Sequence, residues 1–266
     1  MYRMRTIIMS ILRHQTIVSL VNWRKLSIKY AYCPVCGCRR PIVRLDENAI
    51  AVRCLRCRST PLHMSIVSIL RSRVSDLGMM EVYELSARGP LFHFLTKKAA
   101  KLTCSEYFDN VASGEFKKGI QCQDVQCLTY PDEVFDICTS TEVFEHVPDD
   151  MKGFSEIYRV LKPMGFLVFT VPLRTEYETV ERARPLLNGE IQHLCSQEYH
   201  GDPLRNKALL AFRNYGRDIV NRLLSCGFVD AAIVMPPDDI PWGYARPVVL
   251  AHRGSSSNKS LKRTGQ

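Results

Sequence analysis

The stretch FDICTSTEVFEHVPDDMKGFSEIYRVLKPMGFLVFTVP, residues 135–172, decides how this chain folds. It opens on a β-prone run, Phe135 to Thr139, and reaches Pro148-Asp149-Asp150, a cluster of helix N-terminal signals. Met151, Phe154, Ile157, Tyr158 and Leu161 then recur at helical spacing and line one face. Lys162-Pro163-Met164-Gly165 stops that helix, and Phe166 to Val171 is a nearly continuous β-prone run, as a strand covered on both faces should be. Strand, helix and strand in this order form a crossover unit, which implies a parallel sheet.

The same alternation extends in both directions. Upstream lie a strand at Glu81 to Leu85, the turn SARGP, a helix from Leu91 to Ala100, a strand at Leu102 to Phe108 and another at Ile120 to Gln123. Downstream, Ile219, Val220, Leu223 and Leu224 make a helix closed by Cys226-Gly227, and Ala231 to Met235 and Pro247 to Leu250 add two strands. The expected fold is α/β: a Rossmann-like, doubly wound, mostly parallel sheet of seven strands. Residues 173–213 read as a polar, irregular insertion, of a length that suits a lid or a substrate loop. In such sheets ligands bind beyond the carboxyl ends of the strands, so the acids there are informative: Glu84, Glu106 and Asp124. Glu106, near the end of the second strand, suits the bidentate acceptance of two ribose hydroxyls.

Before this domain stand Cys33-Pro-Val-Cys36 and Cys54-Leu-Arg-Cys57, with seventeen residues between the pairs. That is zinc-ribbon spacing, in which two thiolates per pair point at one tetrahedral ion. Four thiolates leave no open position, so the expected zinc is structural. Cys38, beyond the turn at Gly37, is the weaker ligand candidate. Charge is uneven: nine Lys or Arg precede Asp46, the first acid, and the rest of the chain is neutral. Any polyanion contact is therefore expected at the N-terminal side. The chain divides into a basic arm at 1–30, expected to be helical, a ribbon at 31–62, the main domain at 63–252 and a disordered basic tail at 253–266. The apolar clusters Ile7 to Leu12 and Ile17 to Val21 are too interrupted to span a bilayer and do not lead into a secretory cleavage site, so a cytoplasmic location is expected.

Two motifs resemble class I methyltransferases, in particular the type 11-like group whose fourth strand and helix read DxxxxxxVxEHVxD and whose fifth strand follows LKPGG. Here they stand as FDICTSTEVFEHVPDD, residues 135–150, and YRVLKPMGFLVFTVP, residues 158–172. The resemblance covers about residues 80–252, and the cysteine pairs before it resemble bacterial methyltransferases that carry a zinc ribbon. It implies S-adenosylmethionine as cofactor, with Glu84, Ser86 and Gly89 in the cofactor loop and Glu106 on the ribose. Asp124 and Val125 would contact the adenine, and Ser140 and Thr141 the methionine end. The loop departs from the family's ExGxGxG, reading Glu84-Leu-Ser-Ala-Arg-Gly-Pro90, and Met164 replaces the first glycine of LKPGG.

Methyl transfer needs near-attack geometry and a base for an acceptor hydroxyl or amine. Glu142 and His146, four apart, would share one face of a helical turn toward the site, with Glu145 pointing elsewhere. Arg174, His193, Tyr199, His200 and Asp202 of the insertion are further candidates, His200 foremost. No second metal site is expected there. The leading reading is a methyltransferase acting on O or N of a small molecule or glycan precursor. Its alternatives are an RNA base methyltransferase that grips RNA through the basic zinc module, and a non-catalytic zinc-ribbon adaptor.

Overall fold

The structure is a computed structural model that describes residues 25–202 and 207–255. Most of the basic arm and the tail from residue 256 lie outside the described residues. The part of the arm that is described is not helical: residues 27–30 belong to a strand, where alternating Ile28, Tyr30 and Tyr32 favour extended backbone. Among the described residues no helix is long and apolar enough to cross a membrane.

The described residues form two compact units, the first comprising 25–72 with 235–246 and the second 73–202 with 207–234 and 247–255. In the first, β1 (Ser27–Cys33), β2 (Cys38–Arg44) and β3 (Val52–Cys54) make an antiparallel sheet in that order, followed by helix α1 (Pro61–Arg73). Cys33, Ile42, Val52, Cys54, Met64 and the distant Ile240 share its core.

The second unit holds a six-stranded sheet. Its strands are β4 (Glu81–Glu84), β5 (Lys101–Cys104), β6 (Phe135–Thr141), β7 (Leu161–Thr170), β10 (Asp230–Val234) and β11 (Val248–His252). Between β7 and β10 runs a separate antiparallel pair, β8 (Tyr199–Asp202) and β9 (Lys207–Leu210). The sheet order is β10-β11-β7-β6-β4-β5, parallel from β5 through β7, with β11 antiparallel to both neighbours. The helices are α2 (Gly89–Lys98), α3 (Asp150–Val160) and α4 (Ile219–Ser225). This is the Rossmann-like architecture expected, with one strand fewer. The seventh, Ile120 to Gln123, is reduced to a two-residue hairpin strand and a single parallel bridge between Glu106 and Cys122. Its run is short, and the turn before it takes Lys118 and Gly119 into positive φ, which ends any longer pairing.

Helix α3 follows its sequence signals closely: the Asp149 side chain accepts from Lys152 N–H, and Phe154, Ile157 and Val160 are buried. Phe154 meets Phe144 and Phe169 in an aromatic cluster with centroids 4.5–5.7 Å apart. At its C-terminus the buried Arg253 donates to the carbonyls of Tyr158, Arg159 and Leu161. The insertion is not irregular: residues 180–181 pair with 213–214, 183–185 with 191–193, and β8 with β9. Pairs of two to four residues are too short for alternation to be read in the sequence.

The first residues of β7, which begins directly after α3, explain part of the LKPMG motif. A Cβ on Gly165 would lie 2.8 Å from the Asp136 carbonyl, so glycine is required there. Met164 is another matter, since it sits at φ 66° with its side chain 71% exposed. Met164→Gly is expected to raise stability by about 1 kcal/mol, by relieving left-handed strain without removing packing. Equilibrium urea denaturation checks this, and a loss of stability would refute it.

Candidate functional site

The chain order reverses at β4, which has β5 on one side and β6 on the other, so the ligand crevice of this sheet lies beyond the carboxyl ends of β4 and β6. Glu84 ends β4, buried, and accepts a hydrogen bond from the Thr139 hydroxyl. Burial, reinforced by the charge of Glu106, pushes its carboxyl up from 4.5 to about 8. The folded chain therefore holds a proton that the unfolded chain releases between these values, and stability falls as pH rises from 4.5 to 8. Glu84→Gln is expected to remove a loss on the order of 4 kcal/mol over that window. Denaturation of both proteins at pH 5 and pH 8 tests this; parallel losses in the two would contradict it.

Glu106 lies just past β5, 4% exposed, with its backbone tied to Gln121 and Gln123. Its Oε1 accepts from the Ser86 hydroxyl at 2.9 Å and the Ala87 N–H at 3.1 Å, with Arg88 Nε 3.9 Å away. The loop thus closes on the acid that the sequence nominates for a ribose, and Ser86 offers that carboxylate a hydroxyl in place of a sugar's. Gly89 takes φ 86° at the first position of α2. Asp124 turns back on itself, its Oδ1 accepting from Gln126 N–H at 2.9 Å, and the Val125 side chain belongs to the core with Phe144. At the end of β6, Ser140 Oγ and Thr141 Oγ1 are buried with no hydrogen-bond partner, as is Thr170 Oγ1 on β7. Unmet buried hydroxyls cost about 1–3 kcal/mol each, which a polar ligand group at this end of the crevice would recover. The residues present therefore suit a nucleoside with a charged amino-acid end.

Glu142 and His146 do not share a helical turn. Glu142 takes φ 53° at the end of the strand region, and a 3-10 turn, Phe144–His146, follows. A tighter turn brings Glu145 inward instead, 1% exposed, and this is the acid that sequence reasoning turned away. His146 Nε2 lies 3.6 Å from Glu145 Oε1, and His200 Nδ1, from β8, lies 3.7 Å from the same oxygen. The two imidazoles are edge to face at 5.0 Å. Glu145 and, after burial's opposing effect, Glu198 raise His200 to about 9. Of the other insertion candidates, Arg174 pairs with Glu176, while His193 and Tyr199 are exposed and outside this group. Asp202 is described only as backbone in β8.

Buried ion pairs hold the turn in place. Arg213, 3% exposed, donates to the carbonyls of Phe144, Val147 and Pro148 and to Glu181. Arg222 grips both oxygens of Asp150 at 2.8 and 3.0 Å, and the Tyr215 hydroxyl donates to the same carboxylate. Neither arginine belongs to a motif, and only their burial reveals the role.

In the first unit, Cys33, Cys36, Cys54 and Cys57 place their sulfurs within 4.8 Å of one another, Cys33 to Cys57 at 3.7 Å and Cys36 to Cys54 at 3.9 Å. Tetrahedral bonds of about 2.3 Å put sulfurs about 3.8 Å apart, so the donor set fits zinc. Both knuckles close alike: Gly37 N–H bonds to Cys33 C=O and Arg58 N–H to Cys54 C=O, with φ of 70° and 62°. Cys38 turns toward the Cys36 carbonyl and takes no part.

The family described as "Methyltransferase domain" matches residues 86–169. A ubiquinone biosynthesis O-methyltransferase of Coxiella burnetii is 42% identical over 50 residues, 19% of this chain and 21% of that protein. The chain thus aligns with about a fifth of the length of the curated relatives it matches. Among solved structures, S-adenosylmethionine-dependent methyltransferases of Mesorhizobium loti and Clostridium acetobutylicum are similar at TM-scores of 0.45 and 0.44. They are 17% and 16% identical and cover 70% and 71% of this chain, and 96% and 91% of their own. The segment matched by that family, residues 86–169, includes the loop from Ser86, Glu106, Asp124 and the turn that follows β6.

Proposed function

We propose that the chain transfers a methyl group from S-adenosylmethionine to an oxygen of a small molecule, with a structural zinc ion in the four-cysteine module. The observation that carries this reading is the crevice at β4 and β6, where the buried Glu106 and the partnerless Ser140 and Thr141 hydroxyls lie at the carboxyl ends of their strands within the matched segment. When bound, the sulfonium supplies an electrophilic methyl carbon. Glu106 accepts the ribose hydroxyls, exchanging its bond to Ser86 for one to the sugar. Ser140 and Thr141 hold the methionine end. The acceptor is positioned near Glu145, His146 and His200, the cluster that assists loss of the proton from the nucleophilic oxygen. The aligned segment of the O-methyltransferase relative supports oxygen over nitrogen as the methylated atom.

The experiment is in two steps. S-adenosylhomocysteine is expected to raise the melting temperature of the chain, and Glu106→Ala to abolish that rise. Methyl-labelled cofactor incubated with fractionated cell extract is then expected to label small metabolites. Label in RNA would replace the proposed acceptor, and no ligand stabilisation with no label would leave the adaptor reading.

A further inference from the structure

We propose that Glu145, His146 and His200 form a binding site for one divalent transition-metal ion, separate from the four-cysteine site. The argument rests on which nitrogen of each ring carries the proton. His146 Nδ1 is 2.8 Å from the Leu210 carbonyl, which can only accept, so Nδ1 bears hydrogen and Nε2 presents its lone pair. His200 Nε2 is 3.1 Å from Glu198 Oε1, and Glu198 is itself engaged by Arg182 at 3.2 Å and Asn214 at 3.2 Å. That carboxylate accepts too, leaving His200 Nδ1 as the inward lone pair.

Both lone pairs face one buried carboxylate. Glu145 is 1% exposed and neither of its oxygens has a hydrogen-bond partner. With His200 neutral, three lone pairs converge, each ligand atom within 4.8 Å of the others, and an ion entering there displaces any proton that His200 Nδ1 holds toward Glu145. A buried carboxylate in this state costs several kcal/mol unless a cation answers it. The separations of 3.6 and 3.7 Å exceed hydrogen-bond length but approach the roughly 3.4 Å between ligands of a tetrahedral ion with bonds near 2.0–2.1 Å. The outer partners, a carbonyl on His146 and a carboxylate on His200, are the arrangement that fixes metal-binding histidines elsewhere. Two imidazoles and a carboxylate select zinc, cobalt, manganese or iron over calcium and magnesium.

Three protein ligands leave a coordination position open. An acceptor hydroxyl bound there would lose its proton more readily and be held for in-line attack. This last step rests on the methyltransferase reading, whereas binding of the ion does not.

Cobalt(II) titrated into the purified, metal-free full-length chain is the test. Two spectral classes are expected: one equivalent with thiolate-to-cobalt charge transfer, and a second with weak ligand-field bands alone. Glu145→Gln and His200→Gln are each expected to remove the second class and retain the first, with amide protection in β4 and β6 reporting that the second unit of each variant is folded. Absence of the second class in the wild type overturns the proposal, as does its survival in both variants. Methyl transfer without a second ion would sink the metal site alone, and a second ion without methyl transfer would sink the activity alone.

Discussion

Replacing Arg213 with methionine is expected to destabilise the second unit by about 3–5 kcal/mol, the range for a buried ionic group removed from one side only. The guanidinium reaches the Phe144 and Pro148 carbonyls at 3.2 and 2.7 Å, the Val147 carbonyl, and Glu181 at 3.1 Å. Methionine fills similar volume but leaves those carbonyls without a donor in a site that excludes water. Asp150 keeps Arg222, so the loss belongs to the turn rather than to the helix it precedes. Arg213→Lys is expected to fall between, since one ammonium cannot span three carbonyls and a carboxylate. Denaturant unfolding measures the effect, and a change below 1 kcal/mol in the methionine variant would show that the network is not what holds Glu145 and His146 in place.

Cys57→Ser is expected to have the largest effect on the first unit. Zinc bound by four thiolates contributes on the order of 10 kcal/mol to folding, more than three short strands with a small core supply alone. Cys57 contacts Cys33 across the module and the Ser59 hydroxyl at 3.1 Å, so its loss removes one of the four thiolates that would hold the ion. The cobalt–thiolate charge-transfer band should disappear, and amides of β1 to β3 should exchange rapidly while those of β4 and β6 stay protected. Persistence of the band, or of protection at Ile42 and Val43, would mean that the module folds without the ion.

The sheet was legible because strands β4, β6 and β7 and helix α3 each agree with their local signals: apolar runs, Asp149 as cap, a stop at Pro163 and Gly165. The third strand misled because Ile120 to Gln123 carries β propensity without length, and a turn of two positive-φ residues truncates it. Glu106 was legible through its place after a strand. Glu145 was not, because the assumption of a 3.6-residue turn turns it outward, and only the left-handed Glu142 followed by a 3-10 turn brings it in. His200 sits 54 residues beyond His146, and Arg213 and Arg222 further still, so their convergence depends on pairings of two to four residues that no periodicity announces. In the ribbon, the spacing of cysteines carried the whole geometry, while the contribution of Ile240 to its core came from the far end of the sequence.

The position of β11 between β10 and β7 has a consequence for synthesis on the ribosome. A growing chain that has released residues up to 234 possesses four parallel strands and a fifth with nothing to pair against, because its neighbour, Val248–His252, is still to be made. The edge of β7 stays open over the same interval, and the first unit waits likewise for residues 235–246. At about 5–20 residues per second the exposed edges last for a second or more, the period in which a nascent sheet is most open to misassembly. Arrest of translation just before residue 235 should therefore yield chains that bind chaperones strongly, and release of some twenty further residues should end that binding for both units together.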